Sequence, residues 1–97
     1  MARDGKTADR KTLQLCRQVQ KALSFALSET GQDALLTAYV EDVQPAPDAG
    51  HLLVSVHGDG DPMELLKALY DNTGRLRSAV AEAITRRKAP ELAWQVV

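Results

Sequence analysis

The stretch LYDNTGRLRS, Leu69–Ser78, interrupts what otherwise reads as one long helix. Before it, Leu65, Leu66, Leu69 and Tyr70 recur at helical spacing, and after it Leu76, Val80, Ala83 and Ile84 do the same. Between these stripes stand Asp71, Asn72 and Gly74, residues that leave the helical region readily. The pattern predicts a break, with a new helix starting around Gly74 to Arg77. A helix that restarts presents backbone N–H groups in its new first turn, where the helix dipole also favours an anion. Gly74 would let a nucleic-acid backbone approach closely, and Arg75 and Arg77 would add charge-assisted bonds to phosphate. The same residues also describe a helix–turn–helix corner with solvated arginines.

Working outward, the kinked helical stretch begins behind Asp61, which has the form of an N-cap, with Pro62 at the first helical position and Glu64 three residues after the cap. It runs to about Arg87. On its second half, helical phase puts Arg75 and Arg86 on one flank, about 16 Å apart, and Arg77 and Lys88 on the other, with Arg87 pointing elsewhere. Upstream, ALLTAYVEDVQ (residues 34–44) and HLLVSVHG (residues 51–58) flank the turn cluster PAPDAG and predict an antiparallel hairpin. In the second of these, Leu52, Val54 and Val56 alternate with Leu53, Ser55 and His57. The final segment, PELAWQVV (residues 90–97), alternates in the same way and predicts a third strand.

The first element runs from Asp9 to Glu29, with Leu15, Val19, Ala22, Leu23, Ala26 and Leu27 on one stripe and Gly31 as its stop. The opposite side carries Arg10, Gln14, Arg17 and Lys21, a basic and amide-rich face. Cys16 falls on the apolar side as a small buried hydrophobe, and Phe25 lies outside the stripe, as if to cover a neighbouring element. Residues 1–8 are expected to form a flexible N-terminal arm and residues 9–97 a single domain. The predicted architecture is α+β, in the order α-β-β-α-kink-α-β, with a three-stranded sheet and helices on one face. The last strand is expected beside an earlier one.

Charge is segregated. Residues 1–28 carry +4, residues 29–71 carry −8 and residues 72–97 carry +3, so a fold uniting the two basic segments would be bipolar and suited to an anionic partner. A lone cysteine, the lack of an apolar signal core near the N-terminus and the lack of any apolar run of spanning length give a cytoplasmic expectation, with no membrane association.

The element order and these residues resemble the ribosome-binding factor A family, bacterial assembly factors of the small ribosomal subunit with a type II K-homology-like fold. The resemblance covers about residues 9–97. It rests on RQVQKAL in the first helix, on VQPAPDAGHLLVSV as strand, turn and strand, and on APELAW leading into the last strand. NTGRLR stands where the family has an Ala-x-Gly helix break in place of the usual K-homology glycine loop. Asn72 departs from the family's Ala, and either sharpens the break or adds a hydrogen bond to RNA. The sequence ends at Val97, so no function of the flexible tail found in several members is expected of these residues.

The resemblance implies a monomeric, cytoplasmic factor that binds immature small-subunit ribosomal RNA, assists late rRNA processing and leaves when maturation finishes. It implies no catalysis, cofactor or small-molecule substrate. Its RNA-binding residues would be Asn72, Thr73, Gly74, Arg75 and Arg77 at the break, Arg86, Arg87 and Lys88 beyond it, and Arg10, Arg17 and Lys21 on the first helix. The double replacement Arg75→Glu with Arg77→Glu is expected to abolish subunit association with thermal stability nearly unchanged. Two other readings stand beside this one: a module whose sheet edge or acidic middle segment meets a basic protein, and a domain binding single-stranded RNA outside the ribosome. Four aromatic residues weigh against base stacking as the main source of affinity. A metal site at His57, Asp59 and Asp61, with His51 across the hairpin, is weakly supported, because the Asp61 cap and a Gly-Asp turn explain the same residues.

Overall fold

The computed structural model describes residues 10–84 and 88–97. Seven elements follow in order: α1 Arg10–Glu29, α2 Asp33–Leu36, β1 Tyr39–Asp48, β2 His51–His57, α3 Pro62–Asp71, α4 Thr73–Ala83 and β3 Glu91–Val96. The sheet order is β1-β2-β3, with β1 antiparallel and β3 parallel to β2. The predicted α+β class, the three strands and the break between α3 and α4 are all present. The expected N-terminal arm, residues 1–8, lies outside the described residues.

Alternation along the strands sorts the sheet into two faces. Val40 and Val43 of β1, Leu52, Val54 and Val56 of β2, and Leu92 and Trp94 of β3 are buried beneath the helices. Registers such as Val43↔Val54 and Val54↔Trp94 put these side chains in rows across the sheet. From the helical layer, α1 contributes Val19 and Leu23, both fully buried, while α3 contributes Leu65 and Leu69 and α4 contributes Leu76 and Val80. Among the described residues, no helix covers the opposite face of the sheet. There Gln95 Nε2 donates to the buried Ser55 hydroxyl at 2.8 Å.

Local chemistry accounts for the element ends. Gly31 adopts φ +73°, the left-handed conformation that terminates α1, and the Thr30 hydroxyl donates to the Leu27 carbonyl at 3.0 Å. Asp61 caps α3 as its sequence suggests: Oδ1 accepts from the Met63 N–H at 2.9 Å, and Pro62 takes the first helical position.

Three boundaries differ from the sequence reading. Residues 33–36 form one helical turn rather than the start of a strand, since Asp-Ala-Leu-Leu carries no β-branched residue. Strand β1 instead continues through Pro45 and Pro47 to Asp48, which an edge strand tolerates because proline there forfeits no interior ladder bond. The peptide Ala46–Pro47 is cis. The turn is thus reduced to Ala49 and Gly50, with Asp48 Oδ1 accepting from the Gly50 N–H at 2.9 Å. Finally, α4 stops at Ala83, and Ile84 is extended at φ −113°, ψ 160°. The extended Ile84 breaks the helical phase expected to align Arg77 with Lys88, and Arg86, expected in line with Arg75, lies outside the described residues.

Candidate nucleic-acid interface

The break is a single residue. Asn72 ends α3 and precedes α4 at φ −108°, ψ 10°, so the corner forms without any residue in the left-handed region. Its backbone N–H is shared between the carbonyls of Ala68 at 3.1 Å and Leu69 at 3.2 Å, and its side-chain Nδ2 donates to the Ala68 carbonyl at 2.8 Å. The Asn72 side chain thus completes the end of α3, a direct answer to why asparagine sharpens the corner. Thr73 is equally committed: its hydroxyl donates to the Leu69 carbonyl at 3.0 Å and accepts from Trp94 Nε1 at 3.0 Å. Gly74 is exposed, with open space where a Cβ would stand, and no side chain caps the start of α4. No side-chain cap therefore takes up the N–H groups of its first turn, and a helix start of this kind favours an anion.

Arg75 and Arg77 diverge. Arg75 is exposed and leans toward the end of α1, where Nη1 donates to the Thr30 carbonyl at 3.3 Å. Arg77 is turned to the chain leading into β3. Its Nε donates to Pro90 O at 3.2 Å and its Nη2 to Ala89 O at 3.1 Å, and Nη2 also pairs with Glu91 Oε2 at 3.0 Å. Arg77 is accordingly a clip between α4 and β3, which corrects the expectation that replacing it leaves stability unchanged.

Lys88 is exposed just ahead of β3, and Arg86 and Arg87 lie outside the described residues. On α1, Arg10, Arg17 and Lys21 are all exposed on the side away from the core, so the basic face has the orientation its spacing predicts. α1 packs against α4, and the Arg75 bond to Thr30 O also links the C-terminal end of α1 to the break.

Sequence reasoning missed what lies between those two helices. A groove of about 510 Å³ is floored by alanines, including Ala26 and Ala79, and walled by Phe25, Arg75 and the carboxylates of Glu29 and Glu82. Phe25 is 68% exposed and forms a wall of this groove, contrary to the expectation that it covers a neighbouring element. The available signal was its place off the apolar stripe, on the flank that α4 approaches.

Asp61, His57 and His51, three of the four residues of the weakly supported metal site, have partners within the fold. Asp61 is the α3 cap, His57 Nδ1 lies 2.7 Å from Val97 O, and His51 Nδ1 lies 3.4 Å from Asp48 Oδ1. Among the described residues, no group of three or more His, Cys, Asp or Glu side chains is placed to hold a metal, and no helix is long and apolar enough to cross a membrane.

No family model and no curated protein matches the sequence. Solved structures do. The crystal structure of ribosome-binding factor A from Thermus thermophilus has a TM-score of 0.82 at 26% identity, covering 88% of this chain and 93% of that one. A Thermotoga maritima protein solved by NMR, reported as a candidate ribosome binding factor A, has a TM-score of 0.75 at 22% identity, covering 93% and 90%. A Thermus thermophilus ribosome binding factor A model fitted into a cryo-EM map of a 30S complex has a TM-score of 0.71 at 26% identity, covering 82% and 88%. The resemblance first read from NTGRLR and the hairpin therefore extends to the three-dimensional fold.

Proposed function

We propose that this chain, a structural relative of ribosome-binding factor A, is a small-subunit assembly factor that binds immature small-subunit ribosomal RNA and assists its late processing. The observation that carries the reading is the shared fold over nearly the whole of both chains, at a TM-score of 0.82. The exposed first turn of α4, with Gly74 and Arg75, supplies the primary phosphate contact, and Lys88 and the Arg10, Arg17 and Lys21 face of α1 extend it. Asn72, Thr73 and Arg77 support that surface by fixing the corner and the chain behind it. Arg86 and Arg87 add positive charge to the same end of the sequence. The factor acts as a cytoplasmic monomer, without catalysis, cofactor or small-molecule substrate, and leaves the subunit once maturation is complete.

Sedimentation of the tagged protein from a lysate through a sucrose gradient tests this. Comigration with free small subunits, lost at raised salt and absent from translating ribosomes, is the expected result. Retention at the top of the gradient in every condition would refute it and favour a module that binds protein or single-stranded RNA elsewhere.

A further inference from the structure

We propose that the groove between α1 and α4 receives one unstacked base of the bound RNA, and that guanine is the base it favours. This inference rests on the RNA-binding reading and adds a specific subsite to it. At about 510 Å³, the groove is wide enough to take a single base. Its floor is apolar, because alanines from both helices meet there. Phe25 forms one wall and, at 68%, is the most exposed of the chain's four aromatic residues, so its ring offers a base a stacking surface without any rearrangement.

The charges select the base over the backbone. Glu29 and Glu82 line the groove, and neither forms an ion pair with a described residue. Carboxylates repel phosphate but accept from N–H donors on a base edge. Guanine sets N1–H and its exocyclic amino group side by side, matching the two oxygens of one carboxylate, whereas adenine and cytosine offer an amino group alone. Arg75 stands at the same groove with one N–H on Thr30 O, which leaves further guanidinium donors for the phosphate of the extruded nucleotide. Base and backbone would therefore be held by different residues.

The test measures affinity for small-subunit rRNA stripped of protein, and for whole small subunits, over a salt series. Phe25→Ala should weaken binding to stripped rRNA by about fivefold to a hundredfold, the span of base–aromatic stacking, with the salt slope unchanged. Phe25→Trp should retain affinity, and its added fluorescence should be quenched by the RNA. Removing two negative charges would strengthen a purely electrostatic contact, so a several-fold loss in Glu29→Gln with Glu82→Gln identifies hydrogen bonds to a base. Equal binding by Phe25→Ala, while the unaltered protein binds, would overturn the subsite and leave the RNA reading standing. A loss confined to whole subunits would also overturn it, placing a ribosomal protein in the groove. Failure of the unaltered protein to bind either target would refute the RNA reading itself.

Discussion

Arg77 Nη2 lies 3.0 Å from Glu91 Oε2, tying the middle of α4 to the first residue of β3. The same guanidinium holds the Ala89 and Pro90 carbonyls, so one side chain fixes the path of the chain into the sheet. Arg77→Ala should therefore destabilise the fold by about 1–3 kcal/mol. A thermal melt should fall by roughly 5–15 °C for a domain of this size. Arg77→Lys should recover only part of the loss, since an ammonium cannot reproduce the fork. Coincident melts for all three proteins would remove the clip from the account of stability.

Arg75 gives the opposite expectation. Its side chain is exposed, and among the described residues its one hydrogen bond is the 3.3 Å bond to Thr30 O. Arg75→Gln should leave the melting temperature within a few degrees, weaken association with small subunits and lower the salt slope by about one. An unaltered slope would mean that Arg75 neutralises no phosphate.

The corner between α3 and α4 can be tested through Trp94 and Thr73. Trp94→Phe and Thr73→Val each break the 3.0 Å bond from the indole to the hydroxyl. The double-mutant cycle should give a coupling of about 0.5–1.5 kcal/mol in denaturant unfolding. A coupling near zero would show that the two residues are merely adjacent.

Acid should loosen the β1–β2 turn. The Gly50 N–H, followed by the His51 side chain, holds the Asp48 carboxyl below its ordinary value of 3.8. A carboxyl depressed in the folded state stabilises it above the usual value, and the contribution is lost as pH falls through the lowered one. NMR titration should thus find Asp48 ionised below pH 3.8, with the Gly50 amide shifting in parallel. A midpoint at or above the ordinary value would contradict the turn geometry.

Cys16 is buried on α1, and burial, then the nearby Asp42 charge, raises its thiol pKa above 9.0. Alkylation at about pH 8 should therefore be slow in the native protein and fast in denaturant. Rapid native labelling would mean that α1 does not pack against the sheet as described.

Legibility from the sequence followed the range of the interactions involved. The α1 stripe, the Asp61 cap and the alternation of β2 each arise from residues close together in the chain, and each is present in the fold. The prolines misled because Pro45 and Pro47 resemble a turn until β1 is known to be an edge strand. The short α2 was hidden by Leu35 and Leu36, which suit either a strand or a helical turn. At the candidate interface, the corner at Asn72 was legible, but the opposite commitments of Arg75 and Arg77 were not. Their partners are Thr30, 45 residues away, and the Ala89–Glu91 segment, and no local pattern encodes which arginine reaches which.

The parallel pairing of β3 with β2 bears on the order of folding. The hairpin β1–β2 joins residues a short way apart, but Val56 meets Val96 only after the whole of α3 and α4 has been laid across the sheet. Long-range closures of this kind are slow relative to local ones. Because Trp94 arrives with β3 and holds Thr73, the corner that presents Gly74 and Arg75 reaches its final form only then. A chain with its hairpin closed and its helices formed but β3 unpaired would lack the bond from Trp94 to Thr73, so the RNA surface proposed above would be complete only once β3 has docked.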